Sequence, residues 1–327
     1  MPCPDFATWL AAQPHPAHPE SAYHYAAEGF SQIAPLLKDY PGVIRVECFG
    51  ESSQGQPLWA FHIHNPGLPS QGSMLVFANI HAMEWVPSEI AFAWIQAVVP
   101  LAPAIDLTVV PVLNPDGRMR VERDLLEGKN RYHRGNASRV DLNRDFSVFR
   151  DTDSIWPTFI PAYYRKTPGP LSQPETQALD RLAQRPYDVA LSLHSFGGFF
   201  YYPWTGRWQR AEDWQEFQRL GRVMQASMGA HAYRPRQLSR WAFFFRAQGS
   251  EIDHLYGKYG TIAFLVETTR SGIERFEDFR TYFRWYNPRD PARHIREGIR
   301  YLRAMSLEIV AGRAKALPPP PAAEPTP

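Results

Sequence analysis

The stretch Ser73-Met-Leu-Val-Phe-Ala-Asn-Ile-His-Ala-Met-Glu-Trp-Val-Pro-Ser-Glu89 constrains the fold more than any other segment. Met74–Ile80 is an apolar run with the length and composition of a strand buried on both faces. Pro87 suits the first turn of a helix. His81 and Glu84 lie between strand end and helix start, the point where open α/β sheets bind ligands. Leaving a strand three residues apart, an imidazole and a carboxylate can converge on one metal ion. On its own His-x-x-Glu is a weak signal, because a helix-start Glu beside an unrelated His is the commoner occurrence. It gains weight from motifs further along the chain.

The 327 residues suffice for one large α/β domain or two small ones, and 44% hydrophobic content supports a substantial core. A net charge of +2, with arginines scattered rather than in runs, gives no nucleic-acid footprint. No segment approaches the length of an apolar membrane span, and the first residues lack the pattern of a secretory signal. Cys3 and Cys48 form no CxxC pattern, so a cysteine zinc site is excluded and a disulfide framework is not expected. A cytoplasmic enzyme is therefore the expectation, with neither nucleic acid nor membrane as partner.

Residues 1–22 read as a Pro/His-rich N-terminal arm, with His15 and His18 solvated. Residues 23–314 read as one catalytic domain, and 315–327 as a Pro-rich flexible tail. Within the domain a helix is predicted over 23–38, then a hairpin of Val43–Phe49 and Leu58–His62. The strand and helix of the opening stretch come next, then a strand at Asp106–Leu113. It stops at Asn114-Pro-Asp-Gly117, which reads as a turn. Residues 118–170 read as a long irregular segment, of the kind that is usually functional. Ser172-Gln-Pro-Glu175 reads as a capping box starting a helix to about residue 184. Asp188–Leu193, Phe199–Tyr202 and Thr261–Val266 read as strands, and 212–229, 250–259 and 292–314 as helices. This alternation implies a mixed sheet covered by helices. Four strands end at His81, Asn114, His194 and Glu267, so polar chemistry gathers at strand ends.

A catalytic zinc site has three protein ligands and an open position. His81 and Glu84 supply two, and His194 has the position of a third arriving from a distant strand. His81-x-x-Glu84, Asn114-Pro-Asp-Gly117, Val140-Asp-Leu-Asn-Arg144, Leu193-His-Ser195 and Phe264-Leu-Val-Glu267 occur in the order found in zinc metallocarboxypeptidases. The chain thus resembles the carboxypeptidase A-like family over roughly residues 24–310. The resemblance implies a single-domain three-layer α/β/α sandwich with a mixed, largely parallel twisted sheet.

It also implies one zinc ion on His81, Glu84 and His194, polarising a water whose pKa falls towards about 7. Glu267 matches the family's catalytic glutamate, which takes the water's proton and passes it to the leaving amine. Arg134 of Asn130-Arg-Tyr-His-Arg134 takes the oxyanion-stabilising position, with Arg131 as the other candidate. Asn143 and Arg144 match the pair that binds a substrate's free C-terminal carboxylate, and a planar guanidinium does so bidentately. Asp141 matches the carboxylate that orients the first His ligand.

The family's usual Arg between the ligands is Met83 here, the residue after His194-Ser195 is Phe196 rather than Tyr, and the mobile active-site Tyr falls on Phe245. Ile252 occupies the pocket position read for preference and, with Ala247 and Leu265, implies an apolar or aromatic C-terminal residue. Arg240 in the same pocket would instead favour an acidic one, and Asp253 is a lesser contributor. The expected function is zinc-dependent removal of a C-terminal residue from a peptide or peptide-like substrate. The alternatives are an amidase or deacylase of the same fold acting on cell-wall, γ-glutamyl or N-acyl amino-acid bonds, and a catalytically silent protein that binds peptide C-termini.

Overall fold

The computed structural model describes residues 3–14, 16, 20–151, 164–242 and 245–320. Among them, eight strands form one sheet in the order β1-β2-β4-β3-β5-β8-β6-β7. The strands are β1 (Ile44–Glu51), β2 (Pro57–Ile63), β3 (Ser73–Ala78), β4 (Asp106–Val110), β5 (Val189–Ser195), β6 (Phe199–Tyr202), β7 (Arg234–Gln237) and β8 (Ile262–Thr268). The central four, β4, β3, β5 and β8, run parallel. The β1–β2, β2–β4 and β6–β8 pairs are antiparallel, so the sheet is mixed, as expected.

Helices α1 (Phe6–Ala11), α2 (Ala26–Asp39), α3 (Val86–Val98), α6 (Trp214–Ser227) and α10 (Ala292–Val310) cover one face. On the other face lie α5 (Pro174–Ala183) and α8 (Glu251–Tyr259). The remaining helices are α4 (Pro115–Leu126) and two short ones, α7 (Leu238–Trp241) and α9 (Tyr282–Tyr286). Alternate residues of β3 feed the two cores: Met74, Val76 and Ala78 enter one, Leu75 and Phe77 the other. This is why the run is apolar without interruption.

Four readings change. The segment after Asn114 is not irregular from the start, because α4 occupies Pro115–Leu126. Asn114 is its N-cap, accepting from the Gly117 N–H at 3.0 Å, with Pro115 in the first turn. Asn-Pro-Asp-Gly suits a turn and a helix start equally well, and here the second wins. The capping box is also revised: α5 begins at Pro174 with Gln173 as N-cap, and the Ser172 hydroxyl donates to Asp145 at 2.7 Å instead. Edge strand β7 is an addition, since Arg234-Pro-Arg-Gln237 carries no strand signal.

The fourth concerns the arm. Phe6 and Leu10 of α1 are buried in the core, and Cys3 is joined to Cys48 of β1 by a disulfide. Such a bond belongs to an oxidising environment more than a reducing one, contrary to the cytoplasmic expectation. His15 and His18 lie outside the described residues. At the other end Leu317 donates its N–H to Gly260 at 2.8 Å, anchoring the start of the tail. No helix among the described residues is long and apolar enough to cross a membrane.

The Phe6 ring centroid lies 5.1 Å from that of Trp59 and 5.6 Å from that of Phe61, both edge-on. Phe6→Ala is therefore expected to destabilise the protein by about 3–5 kcal/mol, read from denaturant unfolding. A variant with wild-type stability would mean that the arm is not part of the folded unit.

Candidate metal centre

The turn carrying His81 and Glu84 is set by Asn79, whose φ of 56° lies in the left-handed region that Asn tolerates better than most residues. The Asn79 side-chain amide donates to the carbonyls of His81 at 2.9 Å and Glu84 at 3.0 Å. Asn114 donates to the Ile80 carbonyl at 3.1 Å, tying the end of β3 to the start of α4. Beyond the turn, Asn287 accepts from the Trp85 N–H at 2.9 Å and donates to the Met83 carbonyl at 2.7 Å. Trp85 is fully buried, with the Arg118 guanidinium 3.5 Å from the ring centroid. The backbone carbonyl and N–H groups at this strand end are thus satisfied by side chains from three parts of the chain.

His194 comes from within β5, not after it, where parallel pairing with β3 and β8 brings it beside the turn. The side chains of His81, Glu84 and His194 are buried, and their ligand atoms all lie within 4.8 Å of one another. His81 Nδ1 is 2.8 Å from Glu84 Oε1, and His194 Nδ1 is 3.2 Å from Glu84 Oε2. The two Nδ1 atoms are 3.1 Å apart.

Glu267 stands directly across from His194 in the β5–β8 register. Its Oε2 is buried and has no hydrogen-bond partner among the described residues. Burial and the neighbouring Glu84 charge push its carboxyl up to about 8. A divalent cation close by would favour its ionised form. The crowded imidazole nitrogens and the orphaned Glu267 oxygen together fit a divalent cation. Two imidazoles and a carboxylate are the N/O donor set of a three-ligand zinc site with an open position.

Asp141 Oδ1 lies 3.1 Å from His81 Nε2, and its Oδ2 accepts from Arg134 Nε at 2.8 Å. Burial opposes its ionisation, but Arg134 and His81 outweigh that and hold it well below the usual carboxylate range. Arg134 Nη1 is 3.6 Å from Glu84 Oε1, so of the two candidates it is Arg134 that reaches the cluster. Arg131 faces outward with its side chain 61% exposed, 3.8 Å from Asp124.

Asn143 and Arg144 are buried on a short 3-10 turn capped by Asp141. Arg144 donates from Nε to the Tyr164 carbonyl at 3.1 Å, and its guanidinium carbon is 5.7 Å from the Phe245 ring centroid. Gly249 packs against this turn with a φ of +62°, and a Cβ there would meet the Arg144 and Phe146 carbonyl oxygens at 2.9 Å. Glycine is required at that contact.

Ile252 is fully buried with Leu265 and Phe146 in the second core, and Ala247 is buried too. Arg240 does not join them. It is exposed and donates to the Trp208 carbonyl at 3.2 Å. Asp253 is committed elsewhere, accepting from the N–H groups of Thr205 and Gly206 at 2.8 Å. Met83 does not stand free, because its sulfur accepts from the His133 N–H at 3.2 Å. Phe196 is 39% exposed, its ring centroid 5.5 Å from that of Tyr286.

Three contributors had no sequence signal: Asn79, Asn287 and Glu251. Glu251 Oε1 is 3.0 Å from His194 Nε2, deep in the protein. Burial on its own would lower the His194 pKa, but contacts with Glu251 and Glu84 carry it up to about 10.

The zinc carboxypeptidase family profile matches residues 31–286. Carboxypeptidase B of Astacus astacus is 25% identical over 268 residues, 77% of this chain and 88% of its own length. Carboxypeptidase A4 of Mus musculus is 22% identical over 273 residues, 78% of this chain, which spans 64% of that protein. Among solved structures, bovine thrombin-activatable fibrinolysis inhibitor, in complex with tick carboxypeptidase inhibitor, superposes with a TM-score of 0.71 at 20% identity. That match covers 89% of this chain and 98% of the other. The carboxypeptidase A of Helicoverpa armigera gives a TM-score of 0.70 at 20% identity, covering 89% and 73%.

Proposed function

Because the chain belongs to the zinc carboxypeptidase family, we propose that it hydrolyses the C-terminal peptide bond of peptides carrying a free terminal carboxylate. The observation that carries this reading is the meeting of His81, Glu84 and His194 within 4.8 Å, with Glu267 in register beside His194. Zinc held by those three residues would polarise the scissile carbonyl and make the attacking water more acidic.

The remaining chemistry belongs to the chain. Glu267 takes a proton from the attacking water and gives it to the nitrogen of the leaving residue, a task that suits a carboxylate with an unpartnered oxygen. Arg134, held on Asp141, donates to the oxygen that gains charge in the transition state. Asp141 keeps the His81 Nε2 proton and so leaves Nδ1 as the metal-facing nitrogen. Arg144 and Asn143 bind the terminal carboxylate, and Arg144 is what makes the reaction an exopeptidase one. An isoleucine at position 252, where the family resemblance puts the residue that sets preference, supports an apolar or aromatic terminal side chain.

The test is a mass-spectrometric screen of the zinc-loaded protein against peptides differing only at the C-terminal residue, with C-terminally amidated and γ-linked controls. Free-acid peptides ending in Phe or Leu should lose one residue, and their amidated forms should stay intact. Cleavage confined to γ-linked or N-acyl substrates would replace this reading with an amidase or deacylase. Binding of free-acid peptides without any product would replace it with a silent binder.

A further inference from the structure

We propose that Glu251 is a positioning residue for His194, doing for that imidazole what Asp141 does for His81. The inference rests on the reading that His81, Glu84 and His194 hold a divalent ion. The two imidazoles are arranged alike. Each turns Nδ1 to the centre and Nε2 to a carboxylate, His81 to Asp141 Oδ1 at 3.1 Å and His194 to Glu251 Oε1 at 3.0 Å. A neutral imidazole carries one proton, and an ionised carboxylate can only accept. Its presence at Nε2 therefore keeps the proton there and leaves the Nδ1 lone pair facing Glu84.

Glu251 is built to stay in place. It has no exposed surface, and it opens the first turn of α8, where the helix dipole favours a negative charge. Its Oε2 accepts from the Ser250 hydroxyl at 3.1 Å, and its backbone N–H donates to Asn143 Oδ1 at 3.2 Å. That second bond occupies the Asn143 oxygen, so the NH2 is the part of the side chain that can donate to a substrate carboxylate. One residue thus steadies a metal ligand through its side chain and a substrate contact through its backbone. A buried carboxylate without a partner would be costly, so the His194 contact is also what makes Glu251 tolerable there.

Ser192 competes for the same role, because its hydroxyl oxygen is 2.9 Å from His194 Nε2. A hydroxyl can donate or accept, so it does not select a tautomer. The two residues are therefore separable by substitution.

The experiment uses the full chain and zinc alone. Zinc affinity is measured by competition with a chromophoric chelator for wild type, Glu251→Gln, Asp141→Asn and Ser192→Ala. Glu251→Gln should bind zinc about 10–100-fold more weakly, in the range of Asp141→Asn, with Ser192→Ala close to wild type. A readout needing no variant is histidine 15N NMR of the zinc-loaded wild type, where His194 should carry its proton on Nε2. Wild-type zinc affinity in Glu251→Gln, a loss in Ser192→Ala as large as in Glu251→Gln, or an unprotonated His194 Nε2 would overturn the assignment. Failure of the wild type itself to take up zinc would instead remove the metal-site reading on which it rests.

Discussion

Glu267→Gln should take up zinc as the wild type does and lose about 10²–10⁴-fold in kcat. Gln fills the same space beside His194, so the sheet register and the side chains of His81, Glu84 and His194 should be undisturbed. What disappears is the ability to accept a proton. Among the described residues the other carboxylates at the centre are already engaged: Glu84 faces both imidazoles, Asp141 is held by His81 and Arg134, and Glu251 is turned to the far side of His194. Zinc uptake by chelator competition and turnover of a free-acid peptide, measured on the same preparation, check both halves. Full turnover in Glu267→Gln would remove that residue from the chemistry.

Arg134→Lys should lower kcat/KM by about 10²–10³-fold, the usual loss when one oxyanion donor is removed. The planar guanidinium bonds Asp141 through Nε and extends Nη1 to within 3.6 Å of Glu84, at the edge of the cluster. A lysine ammonium offers a single point of donation on a flexible stem. It can remain with Asp141 or reach the reacting oxygen, not both. Because the positive charge persists, Asp141 stays paired and zinc affinity should change little. Steady-state kinetics with zinc affinity measured in parallel distinguish this from a collapse of the site. An unchanged kcat/KM would return the oxyanion role to another group, while Arg131 lies on the outer face with Asp124.

The parts of the fold that could be read in the sequence share a physical cause. β3, β5 and β8 are covered on both faces, so burial writes itself as near-continuous apolar runs, and the polar residue at each end stands out. His81, Glu84, His194 and Glu267 are legible in this way. Asp141, Asn143 and Arg144 come from one compact motif on one turn.

What escapes lacks a local signature. Glu251 lies 57 residues beyond His194, and nothing around it distinguishes a carboxylate that contacts His194 from an acidic residue opening a helix. Asn79 is absorbed into an apolar run, although its left-handed φ shapes the ligand turn. Helix α4 is hidden because Asn114-Pro-Asp-Gly117 is shared chemistry between a turn and a helix cap. Helix α1 is obscured by the prolines after it, and the pairing of Cys3 with Cys48 depends on that helix docking. Arg240 shows the converse: the sequence reading admits it to the pocket of Ile252, and the chain turns it to the surface against Trp208.

The proposed reaction requires that the turn after β3 and strand β5 together hold a single divalent cation. That requirement is tested most directly by anomalous diffraction at the zinc edge from crystals of the zinc-loaded protein. One full-occupancy peak is expected, bonded to His81 Nδ1, a Glu84 carboxylate oxygen and His194 Nδ1, and it should be lost in His194→Ala. A peak on other residues, or a wild-type protein that takes up zinc with none at these three, would contradict it.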